Sequence, residues 1–87
     1  MSKKGKLLAR LLSLPKNFTW VELNTTLSMF GYTEIKKGKT SGSRRRFSDE
    51  FNNIIALHKP HPGNIVKVYA LREVIAHLKE KGYIQDE

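Results

Sequence analysis

The sequence predicts an α+β domain in which helices cover one face of a three-stranded antiparallel sheet. Apolar residues recur at helical spacing in the first third and at the end of the chain, and they alternate with a period of two between these segments. The 87 residues are enough to close one modest hydrophobic core. We therefore expect residues 1–87 to form a single domain.

Two helices are expected before the sheet. Residues 1–15 form an additional N-terminal helix, because four leucines recur there at helical spacing and Pro15 removes a backbone donor. The second helix begins after Thr19, since Thr19 and Glu22 have the spacing of a capping box. Gly31 is a natural end for this helix.

Three short strands follow, at residues 32–36, 43–48 and 53–58, where apolar and polar side chains alternate. Glycine and hydroxyl residues predict a loop at 38–42, and Asp and Asn residues predict a turn at 49–52. An irregular proline-rich loop then leads to the last helix, which presents an apolar face formed by Leu71, Val74, Ile75 and Leu78.

The alternation also predicts which side chains share the uncovered face of the sheet. If Phe47 faces the core, Arg44 and Arg46 point to the open face. If Leu57 also faces the core, His58 points outward on the neighbouring strand. A tight turn between the two strands would set Arg44 opposite His58, and a slip of one residue would undo this arrangement.

Composition limits the classes of partner. Sixteen Lys and Arg against eight Asp and Glu give a formal net charge of +8, which indicates nucleic acid, a membrane surface or an acidic protein. The absence of cysteine excludes a disulfide scaffold and a thiolate zinc site. No apolar run approaches the roughly 20 residues that span a bilayer, so we expect a cytoplasmic protein without membrane contact.

The cationic side chains concentrate between residues 36 and 46, where six basic residues occur and no acidic one. This cluster is either a solvated strand face or a surface that binds the phosphates of RNA. The candidate RNA-binding residues are Lys36, Lys37, Lys39, Ser43, Arg44, Arg45, Arg46 and Lys59.

The histidines are the candidates for proton transfer, because imidazole exchanges protons near neutral pH. His58 is either a surface residue or a general base, and His61 is either a residue that anchors the loop or a general acid. His77 lies within the last helix and is expected to pair with Glu73. Neither a metal nor a cofactor is expected, because His58 and His61 have no cysteine and no acidic cluster nearby to complete a metal shell.

Two motifs carry a resemblance to a known family. Residues 42–47, Gly-Ser-Arg-Arg-Arg-Phe, and His-Pro-Gly at 61–63 before a leucine-rich helix resemble HicA toxins, which are small basic mRNA interferases of bacterial toxin–antitoxin pairs. The similarity covers residues 18–84, and the αβββα order resembles a double-stranded-RNA-binding-like fold. The resemblance implies an endoribonuclease that cleaves mRNA and is neutralised by a HicB-like antitoxin.

The chain departs from the family pattern at one position. A histidine usually follows Gly-Ser in that pattern and is taken as catalytic, whereas this chain has Arg44 there. A guanidinium stays protonated at neutral pH and cannot act as the base. His58 and His61 are then the candidates for proton transfer, with Arg44 stabilising the phosphate. Two alternatives stay open, a non-catalytic RNA-binding module and a catalytically silent partner of the antitoxin.

Overall fold

The computed structural model describes residues 3–35 and 44–84. The elements are α1 (Lys3–Leu12), α2 (Trp20–Met29), β1 (Thr33–Glu34), β2 (Arg44–Ser48), β3 (Ile54–His58) and α3 (Val68–Glu80). The sheet is antiparallel with the strand order β1-β2-β3. The expected α+β class is confirmed, and the element order is compatible with a double-stranded-RNA-binding-like fold. The loop expected at 38–42 lies outside the described residues.

The start of α2 is fixed by the expected capping box. The Thr19 hydroxyl accepts from the Glu22 N–H at 3.1 Å, and the Thr19 N–H donates to Glu22 Oε1 at 2.9 Å. Arg10 of α1 donates from Nε to Glu22 Oε2 at 2.9 Å and from Nη2 to Oε1 at 3.2 Å. The hydrogen bond from Arg10, followed by that from the Thr19 backbone, lowers the pKa of Glu22 to about 2. One carboxylate thus caps α2 and joins it to α1.

The core lies between the helices and one face of the sheet. Trp20 and Phe47 contact each other there, with ring centroids 5.8 Å apart. These two rings are therefore packed in the core and are not available as platforms for ligand bases. The buried apolar residues are Leu11, Phe18, Trp20, Leu23, Leu27, Tyr32, Phe47, Ile55, Leu57, Val66, Leu71, Val74 and Leu78.

The strand register matches the expectation from alternation. Arg44 is paired with His58 in the β2–β3 ladder, and Phe47 is paired with Ile55. Phe47 and Ile55 are buried, whereas Arg44 and His58 are exposed on the other face. Within the described part of the expected strand at 32–36, β1 covers only Thr33–Glu34, so the expectation was too long there, and Lys36 lies outside the described residues.

The turn between β2 and β3 is organised by a buried carboxylate. Asp49 Oδ1 accepts from the Phe51 N–H at 2.9 Å and from the Asn53 N–H at 2.7 Å. Asp49 Oδ2 accepts from the Asn53 side chain at 2.8 Å and from the Tyr83 hydroxyl. Burial alone would raise the pKa of Asp49, but the hydrogen bonds from Tyr83, Asn53 and Phe51 outweigh it and lower that pKa to about 2. The hairpin is therefore attached to the segment that follows α3.

The last helix ends just before a glycine. Gly82 follows α3 with a φ of +81°, a left-handed conformation that glycine adopts without a steric penalty. Ile84 then packs against the core. Within residues 3–35 and 44–84, none of the helices is long and apolar enough to cross a membrane.

We expect Glu22→Gln to lower the free energy of unfolding by roughly 1 kcal/mol at pH 7, because it weakens both the cap and the ion pair with Arg10. The lowered pKa of Glu22 means that this stabilisation is present above about pH 4.5 and is lost as the pH falls towards about 2. Urea unfolding of both proteins across this range measures the difference between them.

The matched control is Glu80→Gln, since the Glu80 side chain is 74% exposed and its ion pair with Lys81 Nζ is 4.0 Å long. This change should alter the free energy of unfolding by less than about 0.5 kcal/mol. A difference between the original chain and Glu22→Gln that stays constant from pH 7 to pH 2 would contradict the assignment.

Candidate active site

The open face of the sheet brings an arginine and a histidine together. Pairing of β2 with β3 places Arg44 opposite His58, and Arg46 lies opposite Ala56 on the same face. All four residues are exposed. Because directly opposed residues have Cβ atoms about 5 Å apart, one phosphate group can lie within reach of Arg44 and His58 together.

The middle arginine of the cluster has different surroundings. Arg45 is partly buried on the face that bears Phe47, and its Nε lies 3.5 Å from Glu34 Oε2. Its Nη1 also donates to the Arg44 carbonyl at 3.0 Å. The structure therefore places Arg45 on the opposite side of the sheet from Arg44. Four other candidate RNA-binding residues, Lys36, Lys37, Lys39 and Ser43, lie outside the described residues.

Both candidate histidines line one cleft. This cleft, of about 320 Å³, lies between the end of β3, the loop that follows it and the first turns of α3. The side chains in the lining that can donate, accept or stack are His58, Lys59, His61, Lys67, Tyr69 and Glu73.

One wall of the cleft is held by the start of α2. The Trp20 N–H donates to the Asn64 carbonyl at 2.7 Å, and the Val66 N–H donates to the Phe18 carbonyl at 2.8 Å. Val66 is also buried in the core. These contacts attach the segment that carries Ile65 to the start of α2 and to the core.

Two residues of the cleft were not assigned to a site from the sequence. Tyr69 is 59% exposed, and Glu73 lies one turn further along α3. Their spacing of four residues places them on one exposed face of the helix, on the side away from the buried face formed by Leu71, Val74 and Leu78. That spacing is visible in the sequence, but only the path of the loop shows that this face meets the histidines.

His77 does not line this cleft and packs, half-buried, against the core residue Tyr32. The Tyr32 hydroxyl and His77 Nε2 are hydrogen-bonded at 2.8 Å, so the expected pairing of His77 with Glu73 is replaced by one with Tyr32. Burial, followed by the charge of Lys81, lowers the pKa of His77. Burial also raises the pKa of Tyr32 to about 12, so Tyr32 keeps its proton. His77 and Tyr32 thus form a neutral structural pair.

Together these features define a small basic α+β protein with two histidines that line a surface cleft and an arginine opposite one of them on the sheet. The model of the family described as the HicA toxin of bacterial toxin–antitoxin systems matches residues 20–82. The chain therefore belongs to the HicA toxin family, and this membership implies a cognate antitoxin as its partner. The match begins at the first residue of α2, so α1 precedes it. No curated protein and no solved structure shows significant similarity to the chain.

Replacement of His77 should destabilise the fold, whereas replacement of His58 should not. His77→Ala leaves the buried Tyr32 hydroxyl without its partner, which costs about 1–3 kcal/mol of unfolding free energy at pH 8. Because the pKa of His77 is lowered from 6.5 in the folded chain, its contribution is present above that pH and declines below it. Urea unfolding of the two variants measures this difference.

The comparison is with His58→Ala. Because the His58 side chain is exposed, this substitution should change the free energy of unfolding by less than about 0.5 kcal/mol. A larger loss of stability in His58→Ala than in His77→Ala would contradict the separation of site from core.

Proposed function

We propose that this chain is the toxin of a toxin–antitoxin pair and an endoribonuclease that cleaves mRNA without a metal ion. The observation that carries the proposal is the arrangement of three side chains. Arg44 lies opposite His58 on the open sheet face, and His61 lines the same cleft as His58. Two imidazoles and a guanidinium supply the acid, the base and the positive charge that RNA cleavage requires.

The reaction that fits these groups is transfer of a phosphate ester within one strand. His58 takes the proton of a ribose 2′-hydroxyl, whose oxygen then attacks the adjacent phosphorus. The bond from phosphorus to the 5′-oxygen breaks, and His61 gives that oxygen a proton. The products are a 2′,3′-cyclic phosphate and a free 5′-hydroxyl. Arg44 donates to the phosphate oxygens as negative charge develops on them.

The substrate class follows from the charge around these residues. Arg46 extends the positive surface along β2, and Lys59 and Lys67 line the cleft. Cations at this spacing favour the repeated phosphates of a single strand, whose bases are free to enter the cleft. RNA contact by Lys36, Lys37, Lys39, Ser43 and Arg45 stays a prediction from the sequence.

Acid–base chemistry without a metal is favoured by the set of side chains. The described residues that line the cleft include two imidazoles and one carboxylate, Glu73, beside two ammonium groups. A divalent cation bound by oxygen ligands usually needs more carboxylates than this, and the ammonium groups repel it.

A second function is favoured by one observation, the presence of Arg44 where the family pattern has histidine. If proton transfer depends on a histidine at that position, the chain binds RNA or its antitoxin without cleaving RNA. The cleavage experiment below includes Arg44→His for this reason.

The antitoxin is proposed to be a HicB-like protein that covers the open sheet face. The same cations that attract RNA would attract an acidic protein surface. Exposed apolar side chains at the other end of the hairpin, Phe51 and Ile54, add contact area of the kind that protein interfaces bury.

We expect His58→Ala to lower the rate of RNA cleavage by about 10²- to 10⁴-fold and to abolish growth arrest, because it removes a positioned base. His61→Ala should give the same loss or a smaller one. His77→Ala should still cleave at a temperature where it is folded, since His77 is hydrogen-bonded to Tyr32 and does not line the cleft. Cleavage should persist in EDTA and leave a 2′,3′-cyclic phosphate.

Full toxicity in the variant with both His58→Ala and His61→Ala would refute this catalytic assignment. Cleavage by Arg44→His, together with none by the original chain, would establish the binding-only function instead.

We expect Arg46→Glu to weaken antitoxin binding by at least about tenfold, because it reverses a charge on the covered face. Lys16→Glu changes the net charge equally in the exposed segment between α1 and α2, and it should leave the affinity within about twofold. Titration calorimetry with the cognate antitoxin measures both. Equal effects of the two variants, or a complex that leaves Arg44 and His58 open to solvent, would contradict occlusion of this face.

A further inference from the structure

We propose that the cleft beside His58 and His61 is a nucleobase subsite, in which a base next to the cleaved phosphate stacks on Tyr69 and is read at its edge by Glu73. This inference rests on the proposed function, because it names what the same site does with the substrate. It assigns roles to two side chains that the cleavage step itself does not use.

The dimensions and the lining suit a planar heterocycle. A cleft of about 320 Å³ lies at the lower end of the range for small-molecule pockets. Its lining includes two prolines and the aliphatic side chain of Ile65 together with a few polar side chains. A nucleobase has a matching surface, because it presents two apolar π-faces and a rim of hydrogen-bonding groups.

Tyr69 is the surface on which such a base can stack. Its side chain is 59% exposed although it is large and aromatic, and Ile65 beside the same cleft is 43% exposed. Trp20 and Phe47, by contrast, are buried in the core. Single-stranded RNA is commonly bound by stacking of its bases on exposed aromatic rings. An exposed tyrosine next to two imidazoles and two ammonium groups matches this pattern.

Glu73 is the unusual member of the cleft. A carboxylate repels phosphate, yet this one lies in the lining with His58, Lys59, His61 and Lys67. A carboxylate accepts hydrogen bonds and donates none. It therefore suits the exocyclic amino group of adenine, cytosine or guanine. It disfavours uracil, which has no amino group and whose ring N–H lies between two carbonyl oxygens that repel a carboxylate. Glu73 also follows Tyr69 by one helical turn, so it can reach the rim of a base stacked on that ring.

The test uses short single-stranded RNAs with 2′-O-methyl riboses, which cannot be cleaved by 2′-hydroxyl attack. Each RNA carries the fluorescent base 2-aminopurine at a different position, because stacking on an aromatic ring quenches its emission. The original chain and Tyr69→Phe should both quench one region of the RNA. Tyr69→Ala should lose that quenching and bind about 5- to 150-fold more weakly, which is roughly 1–3 kcal/mol of stacking.

Phe51→Ala is the matched control, because Phe51 is an aromatic residue, 70% exposed, in the turn at the far end of the hairpin. It should leave the quenching profile unchanged, and circular dichroism should show that all variants are folded. Binding by Tyr69→Ala with the original quenching profile would overturn the nucleobase subsite and leave the proposed function intact. Absence of RNA binding by the original chain would overturn both.

The edge contact is tested with competitor RNAs that differ only in one base. The original chain should bind the three amino-bearing bases in preference to uracil. Glu73→Gln should narrow this preference, because an amide both donates and accepts. If Glu73→Gln kept the full preference for amino-bearing bases over uracil, the role of Glu73 in reading the base would be overturned. The same holds if the substitution changed the pH profile of cleavage and left that preference unchanged.

Discussion

The register of the β2–β3 hairpin is the constraint on which the rest of the structure depends. Side chains alternate between the two faces of a strand, so a slip of one residue would bury Arg44 and expose Phe47. The carboxylate of Asp49 opposes such a slip, because it accepts from two backbone N–H groups of the turn and from the Tyr83 hydroxyl. The position of the proposed catalytic arginine is thus set by a buried acid at the other end of the hairpin.

A second chain of contacts leads from α1 to the cleft. Arg10 of α1 binds Glu22, and Glu22 caps α2 through Thr19. The residues on either side of that cap, Phe18 and Trp20, hold the segment that forms one wall of the cleft. Helix α1 precedes the part of the chain that matches the family, yet it supports the element that positions the cleft. We infer that the first helix contributes to the site through packing and not through contact with substrate.

The sequence was sufficient to predict the order of the helices and strands and the register of the β2–β3 hairpin. Thr19 and Glu22 gave the start of α2, and the alternation around Phe47 and Leu57 gave the pairing of Arg44 with His58. These features depend on local chemistry and on a period of two, both of which are visible in a single chain. The capping box was confirmed in detail, whereas the first strand was shorter than its pattern indicated.

Contacts between segments that are distant in the chain could not be predicted from a single sequence. His77 was assigned to Glu73 because the two lie one turn apart, but Tyr32 is its partner across 45 residues. The meeting of Tyr69 and Glu73 with His61 likewise depends on the path of a proline-rich loop. No local pattern specifies that path, since it is set by the backbone hydrogen bonds at Asn64 and Val66.

The most direct test of this account follows the three imidazoles by nuclear magnetic resonance while a non-cleavable single-stranded RNA is added. The account requires the ring signals of His58 and His61 to shift together with one apparent affinity, because both line the cleft. The signal of His77 should stay in place, since its ring is held against Tyr32 in the core. A shift of His77 with no change at His58 and His61 would contradict the assignment of the site.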